Sequence, residues 1–70
     1  MLFKNFIFKL MDLRQTNLKI FINNYKKYYI YINTFIIEEI DDMHVKVSNN
    51  DYEKTFNYVN DLISFIEGIR

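Results

Sequence analysis

The sequence predicts an α+β fold: a small antiparallel four-stranded sheet with an N-terminal and a C-terminal helix packed on one face. Three observations carry this reading. Apolar residues recur with a helical period at both ends of the 70-residue chain. Between those ends, residues 18 to 48 alternate with period two and are rich in β-branched and aromatic types. The connections within that stretch are too short for crossovers, which makes the sheet antiparallel. The length admits one domain, residues 1 to 70.

The first element is an amphipathic helix over residues 1 to 15. Leu2, Phe3, Phe6, Ile7, Leu10, Leu13 and, at the margin, Met11 share one arc, with Asn5, Lys9 and Asp12 opposite. Phe8 falls on the polar side, where a monomer core has no use for an aromatic ring. The strands follow. Leu18 to Asn23 places Leu18, Ile20 and Ile22 on one face, and Asn23-Asn24-Tyr25-Lys26 turns the chain because Asn tolerates positive φ. Lys27 to Ile32 presents Tyr28, Ile30 and Ile32 on one face and Tyr29 and Tyr31 on the other. Asn33-Thr34 bends the chain into a third strand, Phe35 to Ile40. Asp41-Asp42 turns it again into Met43 to Ser48, with Met43, Val45 and Val47 inward. A second helix is expected over residues 51 to 69. Asn50 serves as its N-cap and Glu53 as the capping-box acid, Asp51 suits its positive end, and Gly68 lies in its final turn. Tyr52, Phe56, Val59, Leu62, Ile63, Ile66 and Ile69 form its apolar arc.

Missing residue types remove whole classes of function. Without cysteine there are no disulfides, thiolate nucleophiles, iron–sulfur clusters or Cys-based zinc sites. A single histidine, His44, excludes a multi-His metal site within one chain, and a single glycine excludes phosphate-cradling glycine loops. His44 and Ser48 lie on one strand face but roughly 13 Å apart by strand rise, too far for a catalytic pair. The expectation is a protein that is not an enzyme and takes no cofactor and no metal. No apolar stretch approaches the roughly 20 residues of a membrane span, and the N-terminus lacks a small-residue cleavage site. The expected location is therefore the cytoplasm, with no membrane partner.

Two surfaces remain as candidates. In the register above, Lys19, Phe21, Tyr29, Tyr31, His44 and Lys46 face away from the helices, three aromatics among basic groups. Such rings anchor protein partners or stack on bases. The charge is also segregated: residues 1 to 35 carry +5 and residues 36 to 70 carry −5, with zero net charge overall. Glu38, Glu39, Asp41, Asp42, Asp51 and Glu53 fall within 16 residues, an acidic cluster suited to steering a basic surface. Zero net charge weighs against strong nucleic-acid binding, because phosphate neutralisation dominates that affinity.

Ile, Asn, Lys, Phe and Tyr make up 40 of 70 residues, a bias toward A/T-rich codons that fits a low-GC genome. Composition and size resemble small stand-alone phage or mobile-element proteins. Many such proteins bind a host protein stoichiometrically, inhibitors of CRISPR nucleases among them. That resemblance implies an inhibitor or adaptor acting on a larger protein or nucleic-acid-processing complex. Phe8, Phe21, Tyr29 and Tyr31 would be its anchors, and Glu38, Glu39, Asp41 and Asp42 its charge complement. The alternatives are a small nucleic-acid-binding regulatory domain and a self-associating structural subunit. A homodimer is expected, because so short a chain with surplus apolar groups gains from covering them.

Overall fold

Three of the four hairpins among the described residues are closed by a side chain that bonds the backbone of its own turn: Asn23, Asp41 and Asn49. The computed structural model describes residues 1–14 and 18–69, and the Arg14 side chain is outside the description. Gln15, the last residue of the expected first helix, lies outside the described residues. The elements are α1 (Leu2–Arg14), β1 (Phe21–Ile22), β2 (Tyr28–Ile32), β3 (Phe35–Glu39), β4 (Val45–Ser48), β5 (Glu53–Phe56) and α2 (Val59–Gly68). The strands form one antiparallel meander in the order β1-β2-β3-β4-β5. Among the described residues no helix is long and apolar enough to cross a membrane.

The sheet has five strands where four were expected. The fifth comes from residues read as the opening turns of the C-terminal helix. Asn49 Oδ1 accepts the Asp51 N–H at 2.9 Å, and the Asn49 N–H donates to the Tyr52 carbonyl at 2.9 Å. The chain therefore reverses and lays Glu53–Phe56 alongside β4, pairing Val45 with Phe56 and Ser48 with Glu53. Asn and Asp favour such turns for the same reason that they favour helix caps: a short side chain that bonds nearby N–H groups. Pairing also satisfies backbone groups that β4 would otherwise present as an edge. The second helix is correspondingly shorter. It starts after an extended Tyr58 with no side-chain cap, and Asp61 sits in its first turn.

This difference has a measurable sign. Thr55 is exposed on β5, opposite Lys46. Thr55→Ala is expected to destabilise by several tenths to about 1 kcal/mol, as on a strand surface. On a helix the same change would stabilise by roughly half a kcal/mol. The urea midpoint reads the sign directly.

The first two turns combine a local and a distant bond. Asn23 Oδ1 accepts from the Tyr25 and Lys27 N–H groups at 2.9 and 3.0 Å, with Lys26 at φ 61. Asn33, at φ 59, closes the two-residue β2–β3 turn, and its Nδ2 donates to the Ile69 carbonyl at 2.9 Å. That bond engages a carbonyl which the end of α2 leaves without a helical donor.

Strand alternation and register place Tyr28, Ile30, Ile32, Phe35, Ile37, Glu39, Val45, Val47 and Phe56 on one sheet face. Phe3 of α1 stacks on Tyr28, with centroids 6.4 Å apart. Phe65 of α2 meets Phe35 at 5.3 Å and Phe56 at 5.6 Å. Phe6, Leu10, Ile30, Ile37, Val45, Val47, Leu62 and Ile66 are fully enclosed. Several residues expected inward are not enclosed. Ile20, Ile22 and Tyr28 lie at or beside the short edge strand and stay exposed, Leu18 is half-buried, and Met43 belongs to a turn. Leu13, in the last turn of α1, is also exposed.

Candidate functional site

The sheet face that carries no buried core residue is built from two rows of paired side chains. Phe21, Tyr29, Glu38, Lys46 and Thr55 form one, and Tyr31, Ile36, Ser48 and Glu53 the other. Three rings gather at one corner. Phe21 and Tyr29, directly opposite on β1 and β2, stack with centroids 5.3 Å apart. Tyr31, two residues along β2 and so on the same face, sets its ring edgewise to both, at 5.7 and 5.8 Å. Each such pair contributes about 0.5–1.5 kcal/mol beyond area burial, so the cluster is held in one arrangement. Tyr31 nonetheless remains 60% exposed.

Around the rings the chemistry is mixed. Lys19 Nζ lies 5.3 Å from the centroid of Phe21. Ile36 stands beside Tyr31, half-buried. Lys46 Nζ reaches Glu38 Oε1 at 3.8 Å, a half-exposed pair of small energetic weight. Beyond Tyr31 an open concavity of about 490 Å³ is lined by Tyr31, Thr34, Ile36, Ser48, Asn49, Asn50 and Asp51. Asn49 Nδ2 donates to Thr34 Oγ1 at 3.3 Å and ties two hairpin ends together among its lining residues. This arrangement offers contact: an apolar centre, hydroxyl and amide groups, and carboxylates at the rim.

The eight residues singled out in the sequence fall in separate places. Phe21, Tyr29 and Tyr31 come together, and Glu38 joins them as the cross-strand neighbour of Tyr29. Glu39 does not belong to an acidic surface. Strand alternation turns it to the helix side, where it is 4% exposed. Its Oε1 accepts the Tyr28 N–H at 3.1 Å, a backbone donor just past the last β2–β3 pair. Asp41 and Asp42 sit in the β3–β4 turn. Asp41 Oδ1 accepts the Met43 N–H and meets His44 Nδ1, both at 2.8 Å. The His44 contact, with the Met43 N–H adding to it, holds the Asp41 carboxyl below the usual aspartate range. That contribution to the turn is present above the ordinary aspartate pKa and is lost as pH falls through the lowered one. His44 therefore serves the turn and does not extend the aromatic face. The Asp42 carbonyl accepts the Leu2 N–H at 2.8 Å and so anchors the start of α1. Phe8 projects from α1, far from the outer face in connectivity and 59% exposed.

Among the contributors outside those eight are Ile36 and Asp51, the second already counted in the acidic cluster of the sequence. Ile36 shares a face with Glu38 by simple alternation along β3. Asp51 joins the concavity through the β4–β5 hairpin. The first was readable from period two, whereas the second depended on β5. Compared with protein-family models, curated proteins and solved structures, the chain matches none.

Proposed function

We propose that this protein is a small non-catalytic binding module that acts by occupying a surface of a larger protein. It would work in the host cytoplasm as a stoichiometric inhibitor or adaptor. Phage and mobile-element proteins that inhibit nucleic-acid-processing complexes, CRISPR nucleases included, are the type. The observation that carries the reading is the Phe21–Tyr29–Tyr31 cluster, presented as an ordered, accessible group of rings. Rings of α1 and α2 meet Tyr28, Phe35 and Phe56 of the inner face, which supports the outer face as the one left for a partner. A buried aromatic centre within a polar rim is how protein interfaces concentrate their energy.

Charge favours a protein over a nucleic acid. Lys46 is already matched by Glu38, and Asp51 and Glu53 stand at the far end of the same face. A phosphate backbone laid across it would meet carboxylates, whereas a protein with an apolar centre and a basic rim would be complemented.

The test is capture from a low-GC bacterial lysate after nuclease treatment, followed by titration of the purified partner. The chain is expected to retain one partner in equimolar amount, and Tyr31→Ala to weaken it by about 30-fold, or about 2 kcal/mol. Tyr31 is exposed, so its loss leaves the core intact. Equal retention by parent and variant would sink the outer face as the site. A signal abolished by nuclease, with single-stranded oligonucleotide binding that Tyr31→Ala removes, would reassign it to nucleic acid.

A further inference from the structure

A second surface lies on α1, away from the outer sheet face, and its chemistry complements itself. At 100° per residue, Phe8 points almost diametrically away from the arc of Leu2, Phe3, Phe6, Ile7 and Leu10 that α1 buries. Lys4 and Asp12 stand one turn before it and one turn after it, on the same i±4 ridge. Lys4 Nζ already reaches over the Phe8 ring, 5.8 Å from its centroid. Neither Lys4 nor Asp12 forms an ion pair among the described residues. Beside the ridge runs an apolar groove of about 400 Å³, walled by Met1, Phe3, Ile7 and Phe8 on the helix side and by Ile20 and Tyr28 on the sheet side.

We propose that this ridge is the contact surface of a homodimer, paired antiparallel about a twofold axis that passes by Phe8. The operation superimposes the charge pattern on its complement. Lys4 and Asp12 are equidistant from Phe8, about 6 Å of helix rise to either side. A twofold axis at Phe8 therefore brings Lys4 of each copy to the level of Asp12 of the other, and gives two equivalent ion pairs. Interdigitating i±4 ridges cross at about −50°, which lays the two ridges side by side. Each Phe8 ring then packs against the partner's ridge and into the groove beside it. A second copy is complemented at every position of the ridge, as an isologous contact requires of a patch that must match itself.

The sheet edges do not compete as a dimer contact. β1 is two residues long, and β5 carries Glu53 and Lys54 on an edge strand, both devices that blunt strand-to-strand pairing. Two exposed ion pairs and one ring per copy contribute modestly, so the association is expected in the micromolar range.

Sedimentation equilibrium from about 5 to 500 µM tests this, with far-UV circular dichroism to verify folding of each variant. The average mass is expected to rise from 8.7 kDa toward twice that value. Phe8→Glu is expected to stay monomeric. Lys4→Glu and Asp12→Lys should each weaken the dimer by about 5- to 30-fold at low salt, since each substitution alters two contacts. The double variant Lys4→Glu with Asp12→Lys should restore it, because the swap regenerates both pairs. Tyr31→Ala should dimerise like the parent. The proposal is overturned by an 8.7 kDa species at every concentration, by a dimer indifferent to Phe8→Glu, or by a double variant no tighter than the single ones. Loss of the dimer in Tyr31→Ala would also overturn it, by moving the contact to the outer face.

Discussion

Phe6→Ala is expected to cost about 3–5 kcal/mol. Phe6 has no exposed surface and sits midway along the buried arc of α1. Its ring meets Phe3 edgewise, with centroids 6.2 Å apart. Truncation to a methyl group removes the ring's burial and leaves a cavity that the helix, fixed by Leu2 and Leu10 on either side, cannot close. A domain of this length has roughly 4–10 kcal/mol to lose, so the expected cost is a large share of it. Urea unfolding followed by far-UV circular dichroism gives the figure. Phe6→Leu, which keeps most of the volume, should recover the greater part of the loss. A Phe6→Ala midpoint shifted by less than about 1 kcal/mol would show that α1 does not close the core.

Ile63→Ala is the second large effect, expected at about 2–5 kcal/mol. Ile63 is 8% exposed and lies between the fully enclosed Leu62 and Ile66 on the buried side of α2. Its neighbour Ser64 is exposed, and Ser64→Ala is expected to fall within about 0.5 kcal/mol of the parent. In a domain of this size each kcal/mol moves the melting temperature by about 4–8 °C, so the two variants should separate by about 6 °C or more. Coincident melting curves would place the helix in a different rotational phase. The pair tests phase alone, because Ile63 lies in the same arc whether the helix opens at residue 51 or at Val59.

That independence marks what was legible. Helical phase depends on spacing within an element, and spacing survives errors at the boundary. The arcs of α1 and α2 could therefore be read from residue order, and so could the alternation that brings Phe21, Tyr29 and Tyr31 to one face. The same rule applied along β3 separates Glu38, beside the rings, from Glu39, buried against the β2 backbone. Reading the four acids as one charged run overlooked it. Asp41 and Asp42 were correctly placed in a turn, but charge alone gave no sign that the turn would hold the first N–H of α1.

Other features were outside the reach of any local pattern. Asn49, Asn50 and Asp51 carry a helix-start signal and a turn signal at once, since both rest on a short polar side chain bonding a nearby N–H group. Which one prevails depends on what the following residues meet. Glu53–Phe56 meets β4, and the pairing satisfies backbone groups while seating Phe56 opposite Val45. The sequence by itself determined the α+β class, the phases of the two helices and the ring-bearing strand face, because each follows from periodicity within one segment. Only the tertiary structure decided the fifth strand, the inward turn of Glu39 and the concavity that Asp51 helps to line. Each of these depends on partners distant along the chain, and on the cost of leaving a backbone donor or acceptor unpaired.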